Sequence, residues 1–143
     1  MLKKLIAAFA VTLPLYAAAQ EIPVQYRGVW SKTAECHDPA IIAADWFAPN
    51  TDVGMSKVVM VKPAGGRELI VFGIESYRDE GVTTESGSVL EIRPEGRNAI
   101  HIHGYAHASR FSGKMVRCNK RAGMQWNFNG THIVNEKGQR IRP

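Results

Sequence analysis

Short apolar runs separated by turn signals are the feature of this chain that most constrains its fold. Runs at 57–62 and 68–78 flank a Pro-Ala-Gly-Gly sequence at 63–66, which predicts a β-hairpin with a glycine-rich turn. Gly73, inside the second run, predicts a bulge or a bend. The Asp-Glu-Gly sequence at 79–81 predicts the next turn.

The same pattern covers the rest of the chain. Further strands are predicted at 25–32, 82–86, 88–93, 98–105, 109–118, 124–128 and 131–134. The Asn-Gly pair at 129–130 is a hairpin signal between the last two of them. These short, closely spaced strands predict a mainly β protein, a small antiparallel β-barrel or, as the alternative, a β-sandwich.

One short N-terminal helix is predicted at 40–47. Asp38 is a favourable N-cap, and Pro39 suits the first helical position. The Ala-Ile-Ile-Ala-Ala-Asp-Trp-Phe sequence that follows contains several helix-forming residues, and Pro49 would end the helix. We expect this helix to cover one end of the sheet.

The N-terminal segment at 1–19 has the organisation of a secretory signal peptide. Lys3 and Lys4 precede an uncharged apolar run that is too short to span a bilayer and ends in three alanines. Cleavage after Ala19 would leave a single β-barrel domain at 20–143 without a transmembrane segment. The sequence therefore predicts a periplasmic or secreted protein.

Cysteine content and charge narrow the classes of function. Cys36 and Cys118 are the only cysteines, and export to an oxidising compartment predicts one disulfide between them. Their wide separation is unlike the C-x-x-C spacing of redox pairs. The formal net charge is +5, but the basic residues are dispersed, so no nucleic-acid partner is expected.

The Gly28-Val29-Trp30 sequence in the first predicted strand resembles the start of lipocalins and other calycin-type barrels. In that group the tryptophan closes one end of the barrel beneath a cationic side chain from a late strand. The resemblance implies this structural role for Trp30, with Arg117 or Arg140 as its cation partner.

The wider layout, with Cys36 soon after that strand and an Arg-Cys pair at 117–118, resembles small secreted bacterial proteins of mostly unassigned function. Some periplasmic barrels of similar size inhibit hydrolases, so the resemblance implies a hydrolase inhibitor as an alternative function. The Ser-Gly-x-x-Tyr segment that lysozyme inhibitors of this kind carry is absent from the sequence.

The segment 101–107 (HIHGYAH) contains the only candidate metal ligands in a suggestive arrangement. His101 and His103 would share one face of a strand, and a bend would bring His107 near them. Three imidazoles with an open position suit Zn²⁺ or Cu²⁺, and Glu91 or Glu75 would supply a carboxylate. The alternative is a polar face exposed to solvent, or a hydrogen-bonded pair at the mouth of the barrel.

The sequence predicts a non-enzymatic binding or envelope-accessory protein without catalytic or cofactor-binding residues. G-x-S-x-G, phosphate-binding glycine loops and H-E-x-x-H are all absent. We expect the partner to be a small apolar ligand inside the barrel or a protein of the cell envelope. The metal-binding protein and the hydrolase inhibitor remain as alternatives.

Overall fold

The computed structural model describes residues 21–33, 35–50, 54–118, 125–128, 132–135 and 140–142, the last three ranges as backbone strands. The signal peptide predicted at 1–19 lies outside these residues. Eight antiparallel strands close into a barrel in sequence order, and three more form a separate sheet. The predicted mainly β, antiparallel barrel is thus confirmed.

The barrel strands are β1 (Gly28–Ser31), β2 (Ala40–Ile42), β3 (Trp46–Ala48), β4 (Ser56–Gly65), β5 (Glu68–Asp79), β6 (Val82–Pro94), β7 (Ala99–Ala106) and β8 (Ser109–Arg117). Each pairs with the next strand, and β8 pairs back with β1. The separate sheet contains β9 (Gln125–Phe128), β10 (His132–Asn135) and β11 (Arg140–Arg142), in the order β11-β10-β9.

The helix predicted at 40–47 is wrong, because β2 and β3 occupy this segment. Ile42 faces the barrel core, whereas Ile41 belongs to a second apolar cluster outside the barrel wall. Because this strand is buried on both faces, its sequence is a continuous apolar run and does not alternate between apolar and polar residues. Such a run cannot be distinguished from the sequence of a buried helix. The described residues contain one helical turn, the 3₁₀ helix Val24–Tyr26.

The hairpin predicted around 63–66 is confirmed as β4 and β5. Gly73 lies opposite an irregularity in β4, where the register shifts between Val58 and Met60. A Cβ at Gly73 would lie 2.7 Å from Ser88 Oγ and 3.0 Å from Phe47 Cε1, so glycine makes room for the buried phenylalanine ring. The strands predicted at 82–86 and 88–93 are one continuous strand, β6.

The C-terminal strands form a sheet of their own, because β9, β10 and β11 pair only among themselves within the described residues. The single domain predicted at 20–143 stays a prediction. β9 and β10 are antiparallel, with Phe128 opposite His132, as the hairpin signal at 129–130 predicts.

Aliphatic and aromatic side chains fill the barrel interior. Each contributes about 1.5–3 kcal/mol when it is fully removed from water. The largest that are almost completely buried in the core cluster are Trp30, Phe47, Ile22, Ile42, Leu90, Ile92 and Ile102. Their contacts join the strands of the barrel around one apolar core.

The predicted disulfide between Cys36 and Cys118 is present. It links the segment after β1 to the residue that follows β8, across a sequence separation of 82. Both cysteines lie in the apolar cluster outside the barrel wall, together with Val29 and Ile41. The covalent bond therefore reinforces the site where the first and last barrel strands meet.

The contact between β1 and β8 is short, with Trp30 opposite Arg117 and Ser31 opposite Val116. The Arg117 guanidinium carbon lies 4.2 Å from the Trp30 ring centroid, the contact that the resemblance to calycins implies. Arg140, the alternative cation, lies in a strand whose side chains are outside the described part of the structure.

Arg117 is also tied to the backbone before β1. Its Nη1 and Nη2 atoms donate hydrogen bonds to the carbonyls of Arg27, at 2.8 Å, and Gln25, at 2.6 Å. A Cβ at Gly28 would lie 2.8 Å from Nη1, so the glycine of the Gly-x-Trp sequence admits the guanidinium. Desolvation by burial lowers the pKa of Arg117.

We expect Arg117→Ala to destabilise the fold by about 2–4 kcal/mol, because it removes two charged hydrogen bonds and the contact with Trp30. Arg117→Lys should recover only part of this loss, since a lysine ammonium cannot reproduce the planar guanidinium group that donates to both carbonyls at once. Urea unfolding followed by tryptophan fluorescence measures both effects. The exposed Arg97→Ala variant is the control, and an equal loss in it would contradict the assignment.

Candidate functional site

The structure separates the three histidines proposed as metal ligands. His101 and His103 lie on the outer face of β7, because Ile100 and Ile102 alternate with them and face the core. His107 lies in the turn between β7 and β8. The strand from His101 to Ala106 spans about 16 Å at ordinary strand geometry, so one ion cannot bind all three imidazoles.

The two carboxylates predicted as further ligands lie beside different histidines. Glu91 lies opposite His103 in the ladder, and its Oε2 is 3.1 Å from His103 Nδ1. Glu75 lies beside His107 instead. Among the residues that the structure describes, no three His, Cys, Asp or Glu side chains form a group that could hold a metal ion.

Two hollows on the outside of the barrel meet at the pair formed by Glu91 and His103. The first has a volume of about 270 Å³, and its lining includes Glu68, Ile70, Arg93 and His101. The second has a volume of about 300 Å³, and its lining includes Val89, Tyr105 and Arg110. Because Glu91 and His103 line both hollows, we call the combined surface the outer groove.

The outer groove presents groups suited to recognition. Carboxylates, imidazoles, guanidinium groups and a phenol offer hydrogen-bond donors and acceptors of both charge signs. The Tyr105 residue is 43% exposed. Of the lining residues, His101 and His103 were predicted from the sequence as site residues, whereas Tyr105 and Arg110 were not. Continuing the alternation from His101 through His103 would have placed Tyr105 on the same face.

A second polar cluster lies where β5 leaves the barrel. The Glu75 side chain is fully buried and accepts hydrogen bonds from the Tyr77 hydroxyl, at 2.5 Å, and from the His107 backbone N–H, at 2.6 Å. His107 Nδ1 lies 2.6 Å from the Tyr77 hydroxyl oxygen. We call Glu75, Tyr77 and His107 the barrel-end network.

Donor and acceptor capacity fixes the directions of the bonds in the barrel-end network. The Tyr77 hydroxyl donates to Glu75, so its oxygen is left to accept from His107 in the tautomer that carries N–H at Nδ1. Desolvation by burial, together with the hydrogen bond and the charge of Glu75, raises the pKa of Tyr77 to about 12. Positive φ angles of 51° at His107 and 55° at Ala108 are unfavourable for non-glycine residues. The bonds to Glu75 and Tyr77 hold this turn in place.

Comparisons with known proteins leave the family open. No protein-family model and no solved structure matches the chain. "F-box only protein 6" of Bos taurus is 24% identical over 103 residues, a match that covers 67% of this chain and 39% of the relative. The chain therefore matches well under two thirds of that relative's length.

The closed eight-stranded antiparallel barrel with its disulfide is consistent with a small calycin-like barrel. In the described part of the chain, no helix has the length and apolar character needed to cross a membrane.

The raised pKa of Tyr77 predicts a loss of stability at alkaline pH. The folded state binds the phenol proton more tightly than the unfolded state does. Its contribution to the free energy of unfolding is therefore complete below pH 10 and is lost as the pH rises through about 12. Tyrosinate absorbance should show a late-titrating component that Tyr77→Phe diminishes. Tyr105→Phe is the control, and a late component of unchanged amplitude in Tyr77→Phe would contradict the network.

Proposed function

We propose that this protein is a non-enzymatic binding module of the periplasm or the extracellular space, and that it recognises a protein partner through the outer groove. The observation that carries the proposal is the contrast between an interior occupied by one continuous cluster of buried apolar side chains and a polar, hollowed exterior. The disulfide and the leader-like sequence at 1–19 support the location outside the cytosol.

The packed core supports surface recognition over a ligand held inside the barrel. Trp30, Phe47 and Leu90 belong to one continuous cluster of buried residues in the interior. A small apolar ligand would have to displace such side chains, at a cost of several kcal/mol for each cavity opened in a packed core. The groove needs no such rearrangement because it already faces solvent.

The composition of the groove supports a protein as the partner. Tyrosine and arginine are enriched among the residues that contribute most to protein interfaces, and Tyr105 and Arg110 line the same hollow. Glu91 and His103 at the centre would be desolvated by a partner and would select its polar groups. A hydrolase is one class of protein partner that this surface would suit. In that case, binding through the outer groove would inhibit the hydrolase.

The groove predicts where a partner can be captured. A photo-crosslinking amino acid at position 105 should yield a defined adduct in the exporting cell, whereas the same group at position 24, which is exposed at the barrel end, should not. Arg110→Ala should weaken the interaction by about 2 kcal/mol and reduce the adduct. Equal adducts from both positions, unaffected by Arg110→Ala, would contradict recognition through the groove.

We further propose, as a second function, that the His101 and His103 imidazoles bind a metal ion weakly as a pair. Both imidazoles line the first hollow, where Glu91 lies beside His103 as its hydrogen-bond partner and not as a third ligand. Imidazole suits Zn²⁺ or Cu²⁺.

Excess zinc or copper should raise the melting temperature, because a ligand at about 100 times its Kd adds about 2.7 kcal/mol. The combined His101→Ala and His103→Ala substitutions should abolish the shift, and the exposed His37→Ala should retain it. No shift in the unsubstituted protein would rule out the metal site.

A further inference from the structure

The hairpin of β5 and β6 extends beyond the rest of the barrel. The ladder between β4 and β5 ends at Lys57 opposite Ile74, and the ladder between β6 and β7 begins at Val89 opposite Tyr105. Past these points β5 and β6 remain paired with each other, up to Asp79 opposite Val82. We call residues 76–86 the ribbon; all of them are exposed except the half-buried Ser86.

The β6 edge of the ribbon has unused backbone groups. Within the described residues, no strand pairs with the outer side of β6 between Val82 and Ser86. A free edge of this kind is a template for another strand. A two-stranded hairpin is only marginally stable until a third strand pairs with it. Val82, which is 65% exposed, and Thr83 and Thr84 are β-branched residues that favour strand pairing.

The base of the ribbon is held in a fixed direction. Tyr77, in the ribbon, is bonded to the buried Glu75 below it and to His107 in the turn between β7 and β8. The bond to His107 joins the ribbon to the turn between β7 and β8, and the bond to Glu75 ties it to the buried part of its own strand. A strand that adds to the edge therefore meets a pre-organised partner, which lowers the entropy cost of binding.

The ribbon differs from the whole chain in charge. Asp79, Glu80 and Glu85 outweigh Arg78, which gives the ribbon a formal charge of −2, whereas the full sequence carries +5. None of these four side chains forms an ion pair among the described residues. The excess negative charge repels the ribbon of a second copy and attracts a cationic segment.

We propose that the β6 edge of the ribbon binds an extended, lysine- or arginine-bearing segment of a partner protein as a third strand. Main-chain hydrogen bonds to the edge between Val82 and Ser86 supply affinity, and the carboxylates select the cationic segment. This edge shares no lining residue with the outer groove, and its binding goes beyond the function proposed for the groove.

Three synthetic peptides test the proposal with the intact, oxidised protein. The first alternates lysine with valine and threonine, the second replaces lysine by glutamate, and the third replaces the central residues by proline. The first should bind in low-salt buffer and weaken as salt is added, because surface charges are screened. The second and third should not bind, since one lacks the charge and the other cannot donate the backbone hydrogen bonds.

A charge reversal within the ribbon locates the binding. Glu85→Lys changes the formal charge of the ribbon from −2 to zero and should raise the Kd of the lysine peptide about tenfold. Glu35→Lys makes the same change at an exposed position outside the ribbon and should have little effect. Tyr105→Ala, in the outer groove, should leave the Kd unchanged, which separates this proposal from the previous one.

Amide hydrogen exchange then identifies the edge. Bound lysine peptide should protect amides between Val82 and Ser86, and protection confined to other strands would overturn the proposal. Absence of binding in low salt, or equal binding of the proline peptide, would also overturn it. So would a dimer that protects these amides without peptide, because the occupant would then be a second copy of the chain.

Discussion

The closure of the barrel between β1 and β8 is the interaction on which the rest of the structure depends. Only two residue pairs form this ladder. On the inner side Arg117 covers the Trp30 ring and binds the backbone before β1, and on the outer side the disulfide joins Cys36 to Cys118. A short ladder is thus reinforced from both faces of the barrel wall, by a cation and by a covalent bond.

Two exterior features of the barrel depend on β5 and β6, which with 12 and 13 residues are the longest strands. The start of β5 and the later part of β6 form one side of the outer groove, together with β7. The end of β5 and the start of β6 form the ribbon. The same hairpin therefore carries a surface of mixed charge and an acidic edge, which are two different chemical environments.

Strand periodicity and turn chemistry were sufficient to predict the barrel strands other than β2 and β3. The segment at 40–47 was not predictable in this way, because Ile41 and Ile42 are buried on opposite faces of the wall and leave no alternation. The alternation of side chains along a strand correctly predicted that His101 and His103 share one face of β7. The association of His107 with Glu75, 32 residues earlier in the chain, arises only when the barrel end closes, and local sequence contains no signal for it.

The pairing of the first barrel strand with the last also affects how the chain folds. The ladder cannot form until Arg117 has been synthesised and has reached Trp30. Until then, the outer edges of β1 and β8 stay unpaired even if the hairpins between them have already formed. Contacts between residues so distant in sequence form slowly, and open strands tend to aggregate during this interval. Completion of the barrel is thus a late step of biogenesis, when folding competes most directly with misassembly.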